Sequence, residues 1–107
     1  MKKLSIIIAA VLLSNQASAA PAWYSGKITR VWPQGGAFIV TLDSTALDDC
    51  QHKYAYFQRA TLGEKLYSET YALALSSMAM QTKFGIVIDK LAVGAQCNAT
   101  SADVRQN

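Results

Sequence analysis

The sequence predicts a small, mainly β domain with a single α-helix, in the element order β-β-β-α-β-β. Three observations favour this fold class. Short runs of alternating apolar and polar residues are bounded by Gly, Pro and Asp, which is typical of strands. One longer run, rich in Ala, Leu, Met and Ser, has a helical period. That run follows the third strand-like segment and passes directly into the fourth.

The N-terminal residues 1–19 are predicted to be a signal peptide and to lie outside the folded domain. Lys2 and Lys3 precede the apolar run Ile6–Leu13, and Ala17 and Ala19 supply the small residues of an A-x-A cleavage site. The run is shorter than the ~20 apolar residues that cross a bilayer. We therefore expect cleavage after Ala19, a periplasmic or secreted protein without a membrane span, and a single mature domain of residues 20–107.

Removal of the signal peptide changes the charge of the chain. The full sequence has ten Lys and Arg against seven Asp and Glu, a net charge of +3. Without Lys2 and Lys3 the balance is 8 − 7 = +1. So small a charge gives no reason to expect a nucleic-acid partner, and we expect none.

Two cysteines remain in the mature domain, Cys50 and Cys97. Exported proteins meet an oxidising environment, so we expect a disulfide between them; the other reading is two free, buried thiols. Closing so long a loop would stabilise a small domain by about 4 kcal/mol on the chain-entropy model.

Strand and turn signals divide the rest of the chain. The first two segments form a hairpin around the turn signal PQGG, and the third is short and rich in aromatic residues. The predicted strands are Lys27–Trp32, Ala37–Asp43, Lys53–Ala60, Phe84–Asp89 and Ala102–Gln106.

The predicted helix begins at a capping box, Thr61 and Glu64, and extends to Gln81. At 100° per residue, one stripe of it should seat the helix on the sheet. This stripe consists of Tyr67, Tyr71, Ala74 and Met78, with Thr70 and Leu75 at its margins.

The opposite side of the helix carries small residues. Ser68, Ala72, Ser76 and Ala79 fall within about 80° of one another, flanked by Leu73 and Met80. Small side chains allow another surface to approach closely, so we predict an interface between copies of the chain. The alternative is a mild, solvated face.

Three strands, one helix and two strands form the element order of an OB-fold. In that five-stranded barrel the helix lies between strands three and four. An open antiparallel sheet with one helix across a face gives the same order, and the sequence leaves both possibilities open.

The chain also resembles a known family. Its segments GKI, FIVTL and KYAYF, followed by GEKLYSETYALALSSMAMQTKFGIVID, stand in the order found in the B-subunits of subtilase-cytotoxin-like AB5 toxins. It is still more similar to small secreted proteins of Gram-negative bacteria that share this pattern. Those proteins carry a Trp-x-x-Gly-Lys-(Ile/Val) opening, here Trp23, Gly26, Lys27 and Ile28, and a helix rich in Tyr and Ala.

The resemblance implies an OB-fold and a cyclic homo-oligomer, a pentamer in the toxins, with the helices around its centre. It also implies a glycan or protein ligand. Two departures from the toxin subunits are visible. Only Ala20–Ser25 precedes the first strand, where the toxin subunits have a segment that helps to build the sugar pocket. The helix is followed by Thr82 and Lys83, where the family often has Gly-Lys.

Residue patterns for catalysis are weak. The one histidine, His52, lies beside Cys50 without a third metal ligand, so we interpret it as a loop histidine next to a disulfide. Asp43, Asp48 and Asp49 lack the spacing of a calcium loop and are interpreted as turn residues. Neither a Gly-x-Ser-x-Gly motif nor a phosphate-binding Gly-rich loop occurs. We expect no enzyme, no cofactor and no metal.

Aromatic residues are the better candidates for binding a ligand. A small barrel needs fewer rings in its core than this chain has, and an exposed ring can stack on a sugar or contact a protein. The other reading is that the rings fill the core or cover the barrel end. The candidates are Trp23, Tyr24, Trp32, Tyr54 and Tyr56.

These observations favour an exported, non-catalytic binding module that forms a ring and binds a glycan or a protein at a cell surface. The alternative is a monomeric periplasmic structural or inhibitory protein that binds another protein through a sheet edge. A small hydrolase is a third hypothesis.

Overall fold

The computed structural model describes residues 20–106. The predicted signal peptide, residues 1–19, lies outside the described residues, as does Asn107. Among the residues described, no helix has both the length and the apolar character needed to cross a membrane.

Five strands and one long helix make up residues 20–106. This confirms the predicted mainly β class and the element order. A single helical turn, α1, precedes the long helix, α2, and two short 3-10 turns lie between β2 and β3. The bounds are β1 Ala22–Gln34, β2 Ala37–Leu42, β3 Ala55–Gln58, α1 Arg59–Leu62, α2 Glu64–Met80, β4 Lys83–Ile88 and β5 Cys97–Arg105.

Several elements have other bounds than the sequence predicts. β3 is shorter than the predicted strand because Lys53 has a left-handed backbone, with φ 61°, and because Arg59 begins α1. The predicted capping box is wrong: Gly63, with φ 84°, precedes α2, and no side chain caps it. Glu64 instead forms an ion pair with Arg59, at 3.2 Å. The predicted end at Gln81 is confirmed, since Gln81 is the left-handed C-cap.

The strands close into a ring in the order β1-β2-β3-β5-β4. The long β1 makes closure possible because it serves two neighbours. Its first half pairs with β4, from Ala22↔Ile88 to Lys27↔Lys83, and its second half pairs with β2. All pairs are antiparallel except β3 with β5.

The interior of the ring is apolar and aromatic. The Phe38 and Phe57 rings stack with centroids 4.5 Å apart, and Tyr67 and Tyr71 of α2 pack on Phe38. The buried cluster comprises Ile28, Phe38, Val40, Leu47, Cys50, Ala55, Phe57, Tyr67, Ala74, Phe84, Ile86, Ile88, Cys97 and Ala99.

The predicted disulfide between Cys50 and Cys97 is confirmed. It joins the β2–β3 connection to the first residue of β5, and both cysteines are buried. The bond therefore links the β2–β3 connection to the point where the β4–β5 connection enters β5, at one end of the barrel.

The helix is rotated by about 50° from the predicted seating. Tyr67, Thr70, Ala74 and Ser77 are its buried residues. Of the predicted stripe, Tyr71 and Met78 are only half-buried, and Leu75 at its margin is 46% exposed. A serine can be buried here because Ser77 Oγ makes hydrogen bonds with the Thr82 carbonyl and hydroxyl, at 3.2 and 3.0 Å.

Candidate functional site

Three of the five predicted ligand-binding residues lie together on the outside of the barrel. The Trp32 and Tyr54 rings meet edge to face with centroids 5.1 Å apart, and the Tyr54 and Tyr56 centroids are 6.0 Å apart. We call the surface formed by Arg30, Trp32, Ile39, Tyr54 and Tyr56 the outer aromatic face.

Strand alternation places these side chains outside. Phe38 and Val40 of β2 point inward, so Ile39 between them points outward. In the strand register Ile39 lies opposite Trp32 of β1 on one side and opposite Tyr56 of β3 on the other. Their rings therefore stand on either side of it.

Ile39 is fully buried, at 0% exposure, although it does not belong to the interior cluster. An outward-pointing side chain on a barrel strand can be buried only if its neighbours on the same face cover it. The outer aromatic face is thus a packed hydrophobic layer of its own, and its rings are held in place by packing.

A cation lies on this face. The Arg30 guanidinium carbon is 4.1 Å from the Trp32 ring centroid, a cation–π distance. Trp32 Nε1 donates a hydrogen bond to Gln34 Oε1, at 3.0 Å. Among residues 20–106, Arg30 takes part in none of the ion pairs. Its positive charge therefore has no carboxylate partner within the described fold.

Amide side chains border the face on the β5 side. Asn98 lies opposite Tyr56 in the parallel β3–β5 register. Its Oδ1 accepts hydrogen bonds from Gln58 Nε2, at 3.2 Å, and from Gln96 Nε2, at 2.9 Å. Across neighbouring strands, the outward side chains therefore follow in the order Trp32, Ile39, Tyr56 and Asn98.

The turn before β3 positions Tyr54. His52 and Lys53 are consecutive residues with left-handed backbone conformations, φ 58° and 61°, which residues other than glycine rarely adopt. The Cys50 disulfide and the hydrogen bond from Gln51 N–H to the Ala95 carbonyl, at 2.9 Å, secure this turn. The His52 ring packs 5.4 Å from that of Tyr54. No three potential metal ligands come together in the described part of the chain.

The three aspartates predicted as turn residues lie in the connection between β2 and β3. Asp43 accepts a hydrogen bond from the Lys27 backbone N–H, at 2.8 Å. Asp48 lies 4.0 Å from Lys53, an exposed ion pair. Asp49 accepts a 2.6 Å hydrogen bond from Lys90, which holds the pKa of the Asp49 carboxyl below its usual range.

Tyr24 belongs to a different part of the molecule. Its ring packs partly against the interior cluster, and the Lys90 ammonium lies 3.9 Å from its centroid. Lys90 also donates to the Ala46 carbonyl and to Asp49. Tyr24 thus joins a clamp between the two loops at the disulfide end and is not part of the outer aromatic face.

Trp23 lies on the opposite outer surface, where it pairs with Val87 of β4. It is 50% exposed, and the Arg105 guanidinium lies 5.3 Å from its ring centroid. The structure therefore separates the five predicted residues into a group of three, one interior ring and one ring on a second face.

Sequence reasoning missed four residues of the site: Arg30, Ile39, Gln58 and Asn98. Arg30 and Ile39 could have been found from alternation alone, since Arg30 is two residues from Trp32 and Ile39 lies between two inward residues. Gln58 and Asn98 meet through the parallel β3–β5 pairing, which no local pattern signals.

No protein-family model, curated protein or solved structure matches the chain.

Proposed function

We propose that this protein is an exported, non-catalytic binding module with an OB-type barrel, and that it binds a glycan on the outer aromatic face. The strand order β1-β2-β3-β5-β4 and the parallel β3–β5 pair support the OB assignment. In OB-folds the face formed by strands 2 and 3 is a frequent site for oligosaccharides and oligonucleotides. With a mature charge of +1, a saccharide is the better match.

The observation that carries the proposal is the burial of Ile39 beneath an outer layer of rings. Ile39 packs between the rings of Trp32 and Tyr56 and fixes their positions. A layer of rings held rigidly at the surface is suited to stacking against the C–H faces of a sugar ring. Rings held by packing lose little conformational entropy when a ligand binds.

The border of the face supplies polar contacts of the kind that sugars need. The Arg30 guanidinium has five N–H donors, and the Gln58 and Asn98 amides can both donate and accept hydrogen bonds. Hydroxyl groups of a saccharide match such mixed donors and acceptors. The site is a surface rather than a pocket, since no pocket opens among residues 20–106.

The test is a glycan array probed with the mature protein, followed by calorimetry with the best ligand. We expect Tyr56→Ala to weaken binding by about fivefold or more, because stacking on an aromatic ring contributes about 1 kcal/mol or more. Trp23→Ala is the matched control, because it removes an exposed ring from the opposite surface. It should change the affinity by less than about twofold.

An array without a retained glycan would refute the proposal, as would an equal loss in both variants. Retention of a protein ligand that depends on Tyr56 would instead favour the runner-up, a periplasmic protein that binds another protein. Such a partner would use this face, whereas a partner at a sheet edge would pair with β5 beyond Asn98, where β3 and β5 no longer pair.

Export rests on the residue pattern of the N-terminal segment and on the disulfide, which forms in oxidising compartments. Mass spectrometry of the protein recovered from a Gram-negative periplasm or medium should find a chain that begins at Ala20. A chain that retains residues 1–19 would contradict this part of the proposal.

We also propose that copies of the chain assemble through the stripe of Ser68, Ala72, Ser76 and Ala79, with a five-membered ring implied by the family resemblance. All four residues are exposed. The chain has no charged residue from Thr70 to Thr82, and Met80 beside the stripe is 69% exposed. Ala72, Ser76 and Ala79 therefore form an uncharged part of the stripe that another helix could approach without burying a charge.

A further inference from the structure

Three basic residues lie side by side on the second outer surface, formed by β4, β5 and the first half of β1. Lys27 lies opposite Lys83 in the β1–β4 register, and Lys83 lies opposite Arg105 in the β4–β5 register. The inward-pointing, fully buried Phe84 follows Lys83, so alternation directs this basic row outward.

Like charges directly opposite one another on neighbouring strands destabilise a sheet. Of these three residues, only Arg105 has an ion-pair partner among residues 20–106, namely Asp103 at 3.1 Å. Lys27 and Lys83 have none there. The carboxylate of Asp43 accepts a hydrogen bond from the Lys27 backbone N–H, so its negative charge also lies near this row. Three cations and the carboxylates of Asp103 and Asp43 leave a local charge of 3 − 2 = +1 on this surface.

Gly85 shapes the middle of the surface. It lies between Ser25 of β1 and Asp103 of β5, and a Cβ at this position would collide with the Asp103 carboxylate. The same Cβ would come within 3.4 Å of Arg105 Nη2. The missing side chain lets the Asp103–Arg105 pair lie flat across β4, where the guanidinium reaches the Trp23 ring.

We propose that Lys27, Lys83 and Arg105 form a second binding site, separate from the outer aromatic face, that takes a phosphate group. A phosphate monoester carries about 1.5 to 2 negative charges at neutral pH and three acceptor oxygens, so it can pair with several cations of the row at once. Bound phosphate would separate the ammonium groups of the two lysines and accept their hydrogen bonds. Trp23 beside Arg105 provides an apolar contact for the group that bears the phosphate.

The experiment titrates the mature protein with inorganic pyrophosphate at low ionic strength, measured by calorimetry. Lys83→Gln should weaken binding by about tenfold or more, since it removes the middle cation of the row. Lys65→Gln makes the same change of charge on the exposed side of α2. It should alter the affinity by less than about twofold. Circular dichroism verifies that both variants stay folded.

A second measurement reports on the site directly. The chain has two tryptophans, so in a Trp32→Phe background Trp23 is the sole indole. Pyrophosphate that binds the Arg105 guanidinium should change its position relative to the Trp23 ring and so change Trp23 fluorescence emission. The change in emission should disappear in Lys83→Gln. A parallel arm replaces pyrophosphate with vesicles of equimolar phosphatidic acid, whose headgroup is a phosphate monoester, and phosphatidylcholine.

Binding of pyrophosphate that depends on Lys83 supports a soluble phosphate compound. Binding of the vesicles alone, again dependent on Lys83, supports a phosphate carried by a lipid headgroup. The proposal is overturned if neither probe binds, or if Lys65→Gln weakens binding as much as Lys83→Gln does.

Discussion

Replacing Ile39 with Ala tests whether a second hydrophobic layer exists outside the barrel. The substitution removes three carbon atoms from a side chain that is 0% exposed. At about 0.8 kcal/mol per buried methylene group, the transfer free energy lost is about 2.4 kcal/mol. The cavity left between the Trp32 and Tyr56 rings adds to this cost, and such changes span about 2–5 kcal/mol. We expect the free energy of unfolding to fall by about 3 kcal/mol.

Urea denaturation followed by far-ultraviolet circular dichroism measures this loss. In a domain of this size it corresponds to a fall in melting temperature of about 12–24 °C. Near-ultraviolet circular dichroism should also weaken, because Trp32 and Tyr56 lose the side chain on which they pack. Leu91→Ala is the control: Leu91 is 76% exposed, and its loss should cost less than about 0.5 kcal/mol.

A loss below about 1 kcal/mol in Ile39→Ala would refute the reasoning. It would mean that the rings leave Ile39 in contact with water, so that the outer aromatic face is a set of loose side chains. The argument for a preorganised binding surface would then fail with it.

Three further predictions concern the disulfide, the loop clamp and the helix. Cys97→Ser should lower the free energy of unfolding by about 4 kcal/mol in urea denaturation, since the 47-residue separation sets the loop entropy; alkylation of two thiols in the native protein would contradict the bond. Lys90 lowers the pKa of Asp49, so the pair between them stabilises the fold at pH values above 3.8, the ordinary pKa of Asp. This stabilisation of the fold is lost as the pH falls through the lower pKa that Asp49 has in the folded protein. The free energy of unfolding, measured between neutral and acid pH, should therefore depend less on pH in Asp49→Asn than in the wild type. Equal pH profiles of the two proteins would show that the Asp49–Lys90 contact does not stabilise the fold. Ala72→Glu should turn an oligomer into folded monomers in light scattering, because like charges would meet at the symmetry axis; a monomeric wild type would refute the ring, and an unchanged oligomer would place its interface elsewhere.

The sequence predicted the order of the elements and the disulfide because both depend on local or compartmental rules. Alternation and turn residues act over a few positions, and the disulfide was expected from the predicted export. The seating of the helix could not be predicted from hydrophobicity, because Ser77 takes a core position by bonding to Thr82, whereas Leu75 remains outside. Burial of a serine depends on a partner that a helical wheel does not contain.

The candidate site was only partly predictable for a similar reason. Aromatic content singled out Trp32, Tyr54 and Tyr56 but could not separate them from Tyr24, which occupies the end of the core. Whether a ring lies on the outer face or in the core depends on the residues opposite it on the neighbouring strands, and therefore on the strand register. The parallel pairing of β3 with β5, which places Asn98 next to Tyr56, connects segments about forty residues apart.

The double pairing of β1 has a consequence for the timing of folding. The start of β1, at Ala22, acquires its partner only when Ile88 is in place, and Cys50 must wait for Cys97. Contacts between such distant segments form slowly, because a large loop must close before they stabilise anything. A chain that crosses a membrane N-terminus first can therefore not complete its barrel until almost all of it has emerged. On the export route proposed above, this delay would keep the polypeptide unfolded during translocation, so that Cys50 and Cys97 would pair only after crossing the membrane.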